Sequence, residues 1–299
     1  MSIIIQVKMI HAILEYARPL EISRLKHVIE GNHDIEVFEE LFKYQNADGG
    51  FGHGLEPDSW NPNSSPIQTW AAMTILRTID FNADDPKVKL MFTYLEETLD
   101  PETLSWPATI PSNDSYPHAP WWQYKKEDPT YNPTASIAGF VLRHANPATN
   151  LFRLANKICR QAIDFINDRK DPIEVHELRC LLDMMNDAKD LYQTYLPYKK
   201  AKQKVVLLID DCLEHDSSLW LTSYVAKPSA LIKKHPGIAS DAYYDLMMEE
   251  FDLALKHVNL EGIWNPTFSW GNQDSDRIWK AIIAIDYLEL MKQFGFLAK

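Results

Sequence analysis

Residues 44–68, "YQNADGGFGHGLEPDSWNPNSSPIQ", gather four of the chain's ten glycines with His53, Glu56, Asp58 and Trp60. Two other stretches are similarly rich in groups that can do chemistry. Residues 105–132, "SWPATIPSNDSYPHAPWWQYKKEDPTYN", carry Asp114, His118, Trp121 and Trp122. Residues 261–276, "EGIWNPTFSWGNQDSD", carry Trp270, Asp274 and Asp276. Carboxylates beside indole rings suit a pocket for a sugar ring or an isoprenoid chain. A glycosidase needs two carboxylates flanking the scissile bond, roughly 5–10 Å apart. Glu56, Asp58 and Asp276 are the acid/base candidates, with one pKa raised by burial in a Glu56–Asp276 pair. His53, His118, Trp121, Trp122 and Trp270 are the candidate substrate-binding residues. Long polar loops of this kind are commonly functional.

Other chemistries lack their residues. There is no phosphate-binding glycine loop, no dinucleotide fingerprint and no nucleophile elbow. Asp210 and Cys212 in "LIDDCLEHD", with His257 downstream, have the ligand types of a catalytic zinc site. They fall late in the helix "AKQKVVLLIDDCLEH", and "DDCLEHD" reads as a solvated helix end. The expectation is therefore no metal and no cofactor.

The elements that must position these groups are helices. Ser65-Pro66, Asp85-Pro86, Asn132-Pro133, Asn146-Pro147 and Asp171-Pro172 each place a capping residue before a proline suited to a helix start. Ser65 with Gln68 adds a capping box. Apolar residues then recur at helical spacing, as in "PTASIAGFVLRHA" and "PIEVHELRCLLDMM". The loops repeat: "DGGF", "DPETLSW", "DSSLW" and "EGIW" each set an acid ahead of an aromatic, at Phe51, Trp106, Trp220 and Trp264. Their spacing fits a unit of roughly 50 residues, enough for one helix pair.

"QNADGGFG" at 45–52 resembles the Q-x-x-D-G-G-F-G/W repeat of the terpenoid cyclase and protein prenyltransferase superfamily. "DGGFGHGLEPD", "PHAPWW" and "NPTASIAG" also resemble segments of small bacterial toroid proteins. The resemblance implies an all-α, single-domain α/α toroid of about six helix pairs across residues 1–299. In it, Gln45–Gly52 is a turn, pinned by Asp48, opened by Gly49 and Gly50, and plugged by Phe51. The family's activities fit less well. The protonating D-x-D-D acid is missing, since Asp274-Ser275-Asp276 is followed by Arg277. "DDCLE" resembles a magnesium motif, but its N-D-x-x-S-x-x-x-E partner is absent. The zinc cysteine of the prenyltransferases opens an inner helix, and Cys212 does not.

Composition narrows the rest. The chain has 299 residues, 45% hydrophobic and 24% charged, with a formal net charge of −12. That charge argues against nucleic acid and anionic membranes as partners. No run reaches the roughly 20 apolar residues of a membrane span. Three spaced cysteines and a start lacking signal-peptide features give a cytoplasmic expectation. The functional expectation is an enzyme or binder for an isoprenoid-like or saccharide small molecule. The alternative is a non-catalytic toroid that binds a peptide or protein at its mouth.

Overall fold

The computed structural model describes residues 3–126 and 128–297, with side chains from residue 7 onward. Twelve α-helices occur among the described residues: α1 Ile3–Tyr16, α2 Pro19–Glu30, α3 Asp34–Leu41, α4 Pro66–Leu76, α5 Pro86–Thr98, α6 Thr134–His144, α7 Asn150–Asp168, α8 Val175–Ala188, α9 Leu196–Cys212, α10 Pro228–Leu231, α11 Tyr244–Lys256 and α12 Gln273–Gln293. No strand forms among them; extended backbone meets only in isolated bridges. The all-helical expectation holds. No helix among the described residues is long and apolar enough to cross a membrane.

The capping residues act as read at two of the five proline starts. Ser65 Oγ accepts from Gln68 N at 3.2 Å to open α4, and Asp85 Oδ1 accepts from Lys87 N at 2.8 Å to open α5. Stronger caps downstream move two others. Asn146 turns onto Ala148 N, so the Thr149 hydroxyl caps α7 through Phe152 N. Arg169 holds the carbonyls of Asp171 and Pro172, and Glu174 caps α8 through His176 N and Glu177 N. Past Asn132-Pro133, α6 begins one residue late, at Thr134.

The chain divides into two compact units, residues 42–212 and residues 1–41 with 213–299. In the first, α6 is the centre and is buried along Thr134–Leu142. It packs on α7 and α8. Gly139 permits the approach to α8, because a Cβ there would lie 2.6 Å from the Met184 Cα. α7 covers this core with one stripe: Leu151, Ala155, Ile158, Cys159, Ala162, Ile163 and Ile166. That spacing is one face of a 3.6-residue helix, and each large side chain buried adds roughly 1.5–3 kcal/mol. In the second unit, α12 packs on α1 and α2, and α10 on α11.

The four repeat aromatics are all buried, with Phe51 at 0% and Trp264 at 4% exposure. Their turns share wiring. Asp48, Asp100 and Asp216 each accept a backbone N–H two residues on, from Gly50, Glu102 and Ser218. Phe51 N–H donates to the Thr69 hydroxyl in α4, and Trp106 N–H to the Thr134 hydroxyl in α6. The Trp106 and Trp264 indoles donate to carbonyls near the ends of α5 and α11, Leu95 and Ala254. The fourth turn departs from the sequence reading. Asn259 pins it, accepting from Glu261 N and Ile263 N, while the Glu261 carboxylate takes Tyr16 and Lys280. An amide oxygen serves a turn as well as an acid does, and the acid is released to the surface.

Candidate loop site and an internal arginine cluster

The glycine turn is built as its residues require. Gly49 has φ of +92°, and a Cβ there would overlap the Leu90 carbonyl. Only glycine accepts both conditions. Asp48 Oδ1 takes Gly50 N at 3.0 Å and Ser64 Oγ at 2.6 Å, tying the two ends of the stretch together. Gln45 reaches the Gly49 and Lys87 carbonyls through Nε2. Phe51 meets Phe42 edge-on at 5.4 Å.

Past the turn the stretch changes character. His53 sits at φ +59°, a left-handed conformation uncommon outside glycine, and is exposed, with Nε2 2.8 Å from Asn46 Oδ1. Gln68 does not complete the capping box. Its side chain leaves the helix end, accepting from Glu56 N at 2.7 Å and donating to Ser59 O at 2.9 Å. The first residues of α4 thereby clamp the loop that carries Glu56. Glu56 is half-buried and Asp58 is buried, at 2% exposure.

Two of the three sequence loops are joined. Trp60 N donates to Pro117 O at 2.9 Å, and Ala119 N to Asp58 O at 2.8 Å. Asn61 Nδ2 donates to Ser112 Oγ and Asn113 Oδ1, and Asn113 in turn donates to Trp122 O. These bonds bring Glu56, Asp58, His118, Trp121 and Trp122 into one tract. His118 Nδ1 faces the Tyr116 carbonyl at 2.8 Å. A carbonyl only accepts, so Nδ1 carries a proton, and Nε2 lies 4.0 Å from Asp114 Oδ1. Trp121 is 45% exposed, whereas Trp122 is half-buried and its indole nitrogen has no hydrogen-bond partner among the described residues.

The third loop belongs to the other unit. Asp276 lies in the first turn of α12 and accepts from Ser269 Oγ at 2.8 Å; Trp270 is half-buried just ahead of that helix. Asn272 caps α12 through Asp274 N and Ser275 N. Carboxylates in a first helical turn complement the helix dipole, which accounts for Asp274 and Asp276 without a ligand. Asp210 and Cys212 close α9 as read, and no group of three His, Cys, Asp or Glu is placed to hold a metal among the described residues.

The sequence reading missed a second polar centre, inside the α4–α6–α8 layer. Trp70 Nε1 donates to Ser136 Oγ at 2.9 Å, and Ser136 Oγ to Asp183 Oδ2 at 2.9 Å. Arg77 binds Asp187 Oδ2 through Nε and Nη2 at 2.9 and 2.8 Å. The Arg179 guanidinium stacks on Trp70, 5.2 Å from the ring centre. A signal existed. Trp70, Thr74 and Arg77 fall at i, i+4 and i+7, as do Arg179, Asp183 and Asn186, so each trio shares one helix face.

No family model, no curated protein and no solved structure matches the chain.

Proposed function

We propose that the helices pair in the α/α toroid manner of the terpenoid cyclase and protein prenyltransferase superfamily, and that the joined loops 46–64 and 105–126 bind a saccharide. The repeated turns at Asp48–Phe51 and Asp100–Trp106, with the same threonine acceptor on the next helix, support the toroid pairing. The observation that carries the ligand reading is the backbone join at Trp60–Pro117 and Asp58–Ala119, which holds acids, imidazole and two indoles in one tract. An isoprenoid needs an apolar enclosure shielded from water. Here Trp121 is open to solvent beside hydrogen-bonding groups, the arrangement that suits a ring with an apolar face and polar edges. Glu56 is the acid a bound sugar reaches, and it is the acid/base candidate for hydrolysis.

The test is titration of the full chain with a panel of neutral oligosaccharides, read by tryptophan fluorescence and calorimetry. Saturable binding, at least about tenfold weaker in Trp121→Ala, is expected. Loss of turnover but not of binding in Glu56→Gln adds catalysis. Binding of a prenyl alcohol and no sugar transfers the site to isoprenoids. Binding of neither class removes the small-molecule reading and leaves the exposed Tyr116, Trp121 and Tyr124 as a peptide-docking face.

A further inference from the structure

The chain is acidic overall, yet the α4–α6–α8 cluster is locally cationic. Three arginines gather there with two carboxylates: Arg77 and Arg143 pair with Asp187, Arg179 stacks on Trp70, and Asp183 accepts from Ser136. Asp187 is spent on Arg77 and on Arg143, at 3.4 Å, and Asp183 accepts from Ser136. Two guanidinium nitrogens, Arg77 Nη1 and Arg179 Nε, are buried with no hydrogen-bond partner among the described residues. An unmet buried donor is unfavourable, and more so on a charged group. The neighbouring histidine feels the same field: burial first, then Arg143 and Arg77, press His144 down to about 4, so it is neutral at pH 7 and adds no charge.

The geometry points to a site for a small oxyanion, a phosphate or carboxylate group, bound between Arg77 and Arg179 beside the Trp70 face. Guanidinium groups recognise these anions through paired N–H bonds. Arg77 is preorganised, since Asp187 fixes two of its nitrogens and the Ser136 carbonyl takes Nη2 at 2.7 Å. Arg179 is the less tethered half: it is half-buried, stacked on Trp70, and its Nε meets no hydrogen-bond partner among the described residues. A swing of its head turns Nε toward an anion that also meets Arg77. Asp183 opposes the anion and sets its affinity. The site is separate from the loop tract and does not depend on the saccharide reading.

Calorimetry on the full chain in dilute chloride buffer, with inorganic phosphate in one arm and succinate in the other, tests this. Saturable binding of at least one anion by wild type is expected, at least about tenfold weaker in Arg179→Gln. Asp183→Asn, which keeps the acceptor for Ser136 but removes the opposing charge, should bind severalfold more tightly. Arg153→Gln, on the outer surface of α7, should bind as wild type. The site is overturned if neither anion saturates wild type, or if folded Arg179→Gln binds as wild type does. Should Arg179→Gln not fold, unchanged or weaker binding by Asp183→Asn overturns it instead.

Discussion

Two charged networks sit inside this molecule, one in each unit, and they are finished to different degrees. In residues 213–299, Glu250 is fully buried and every direction is answered. It accepts from Ser229 N at 2.7 Å, Ser229 Oγ at 2.5 Å and Tyr287 OH at 2.7 Å, with Lys227 Nζ at 3.6 Å. Burial first, and the Glu250 charge after it, push the Tyr287 phenol well above its ordinary range, so it stays a donor. In residues 42–212, the Arg77–Arg179 cluster leaves two buried donors without partners. A satisfied network holds a fold in one arrangement; an unsatisfied one is a cost the fold tolerates for another purpose. The first is structural by this criterion, and the second is where a ligand contributes.

The largest expected effect comes from breaking the finished network. Glu250→Gln leaves the Lys227 charge uncompensated and replaces one accepting oxygen with an amide donor, set either against the two hydroxyls or against the Ser229 N–H. Removing one partner of a buried pair costs about 3–5 kcal/mol, so urea denaturation should show a midpoint well below wild type.

Glu289 gives the next effect, with a pH signature. Burial first raises its carboxyl to about 7, against the lowering pull of Arg24 and with a further rise from Asp286. Its folded value lies above its unfolded one, so the folded state binds the extra proton. The stability it contributes is complete below the ordinary carboxylate range and is lost as pH rises through about 7. Glu289→Gln should therefore melt higher than wild type at pH 8 and alike at pH 4.5, as a series of thermal melts will show.

A smaller loss is expected in the glycine turn. Asp48→Asn weakens two bonds on an exposed residue, worth about 1 kcal/mol together after solvent screening, and should lower the melting temperature by a few degrees. Glu56→Gln, eight residues on, should leave melting unchanged or raise it. The smallest effect is Trp121→Ala, which should lower the melting temperature by a degree or so at most, because the residue is 45% exposed.

How much of this the sequence carried depends on the range over which each signal acts. The cap at Ser65-Pro66 and the Asp48 turn were legible because capping residue, proline, acid and glycine act within a few positions of one another. The start of α7 was not, because Asn146 and Thr149 both offer caps and only the packed helix chooses Thr149. The role of Gln68 was misread for a related reason: its nearest partner in sequence lost to the Glu56 N–H and Ser59 carbonyl of a folded loop. Of the candidate site, the grouping of Glu56 with His118 rested on loop composition, and the backbone bonds between the loops supplied what composition lacks. The arginine cluster draws on residues 70, 77, 136, 179 and 183, too far apart for a motif, although the i, i+4, i+7 stripes on α4 and α8 were there to be seen.

The measurement that bears most directly on the contrast between a finished and an unfinished network is a pair of urea unfolding curves, Glu250→Gln and Arg179→Gln beside wild type, at one pH and without added anion. The account predicts that Glu250→Gln loses several kcal/mol while Arg179→Gln is as stable as wild type or more so, since it removes a buried donor that nothing meets. A large loss in Arg179→Gln with little change in Glu250→Gln would contradict it.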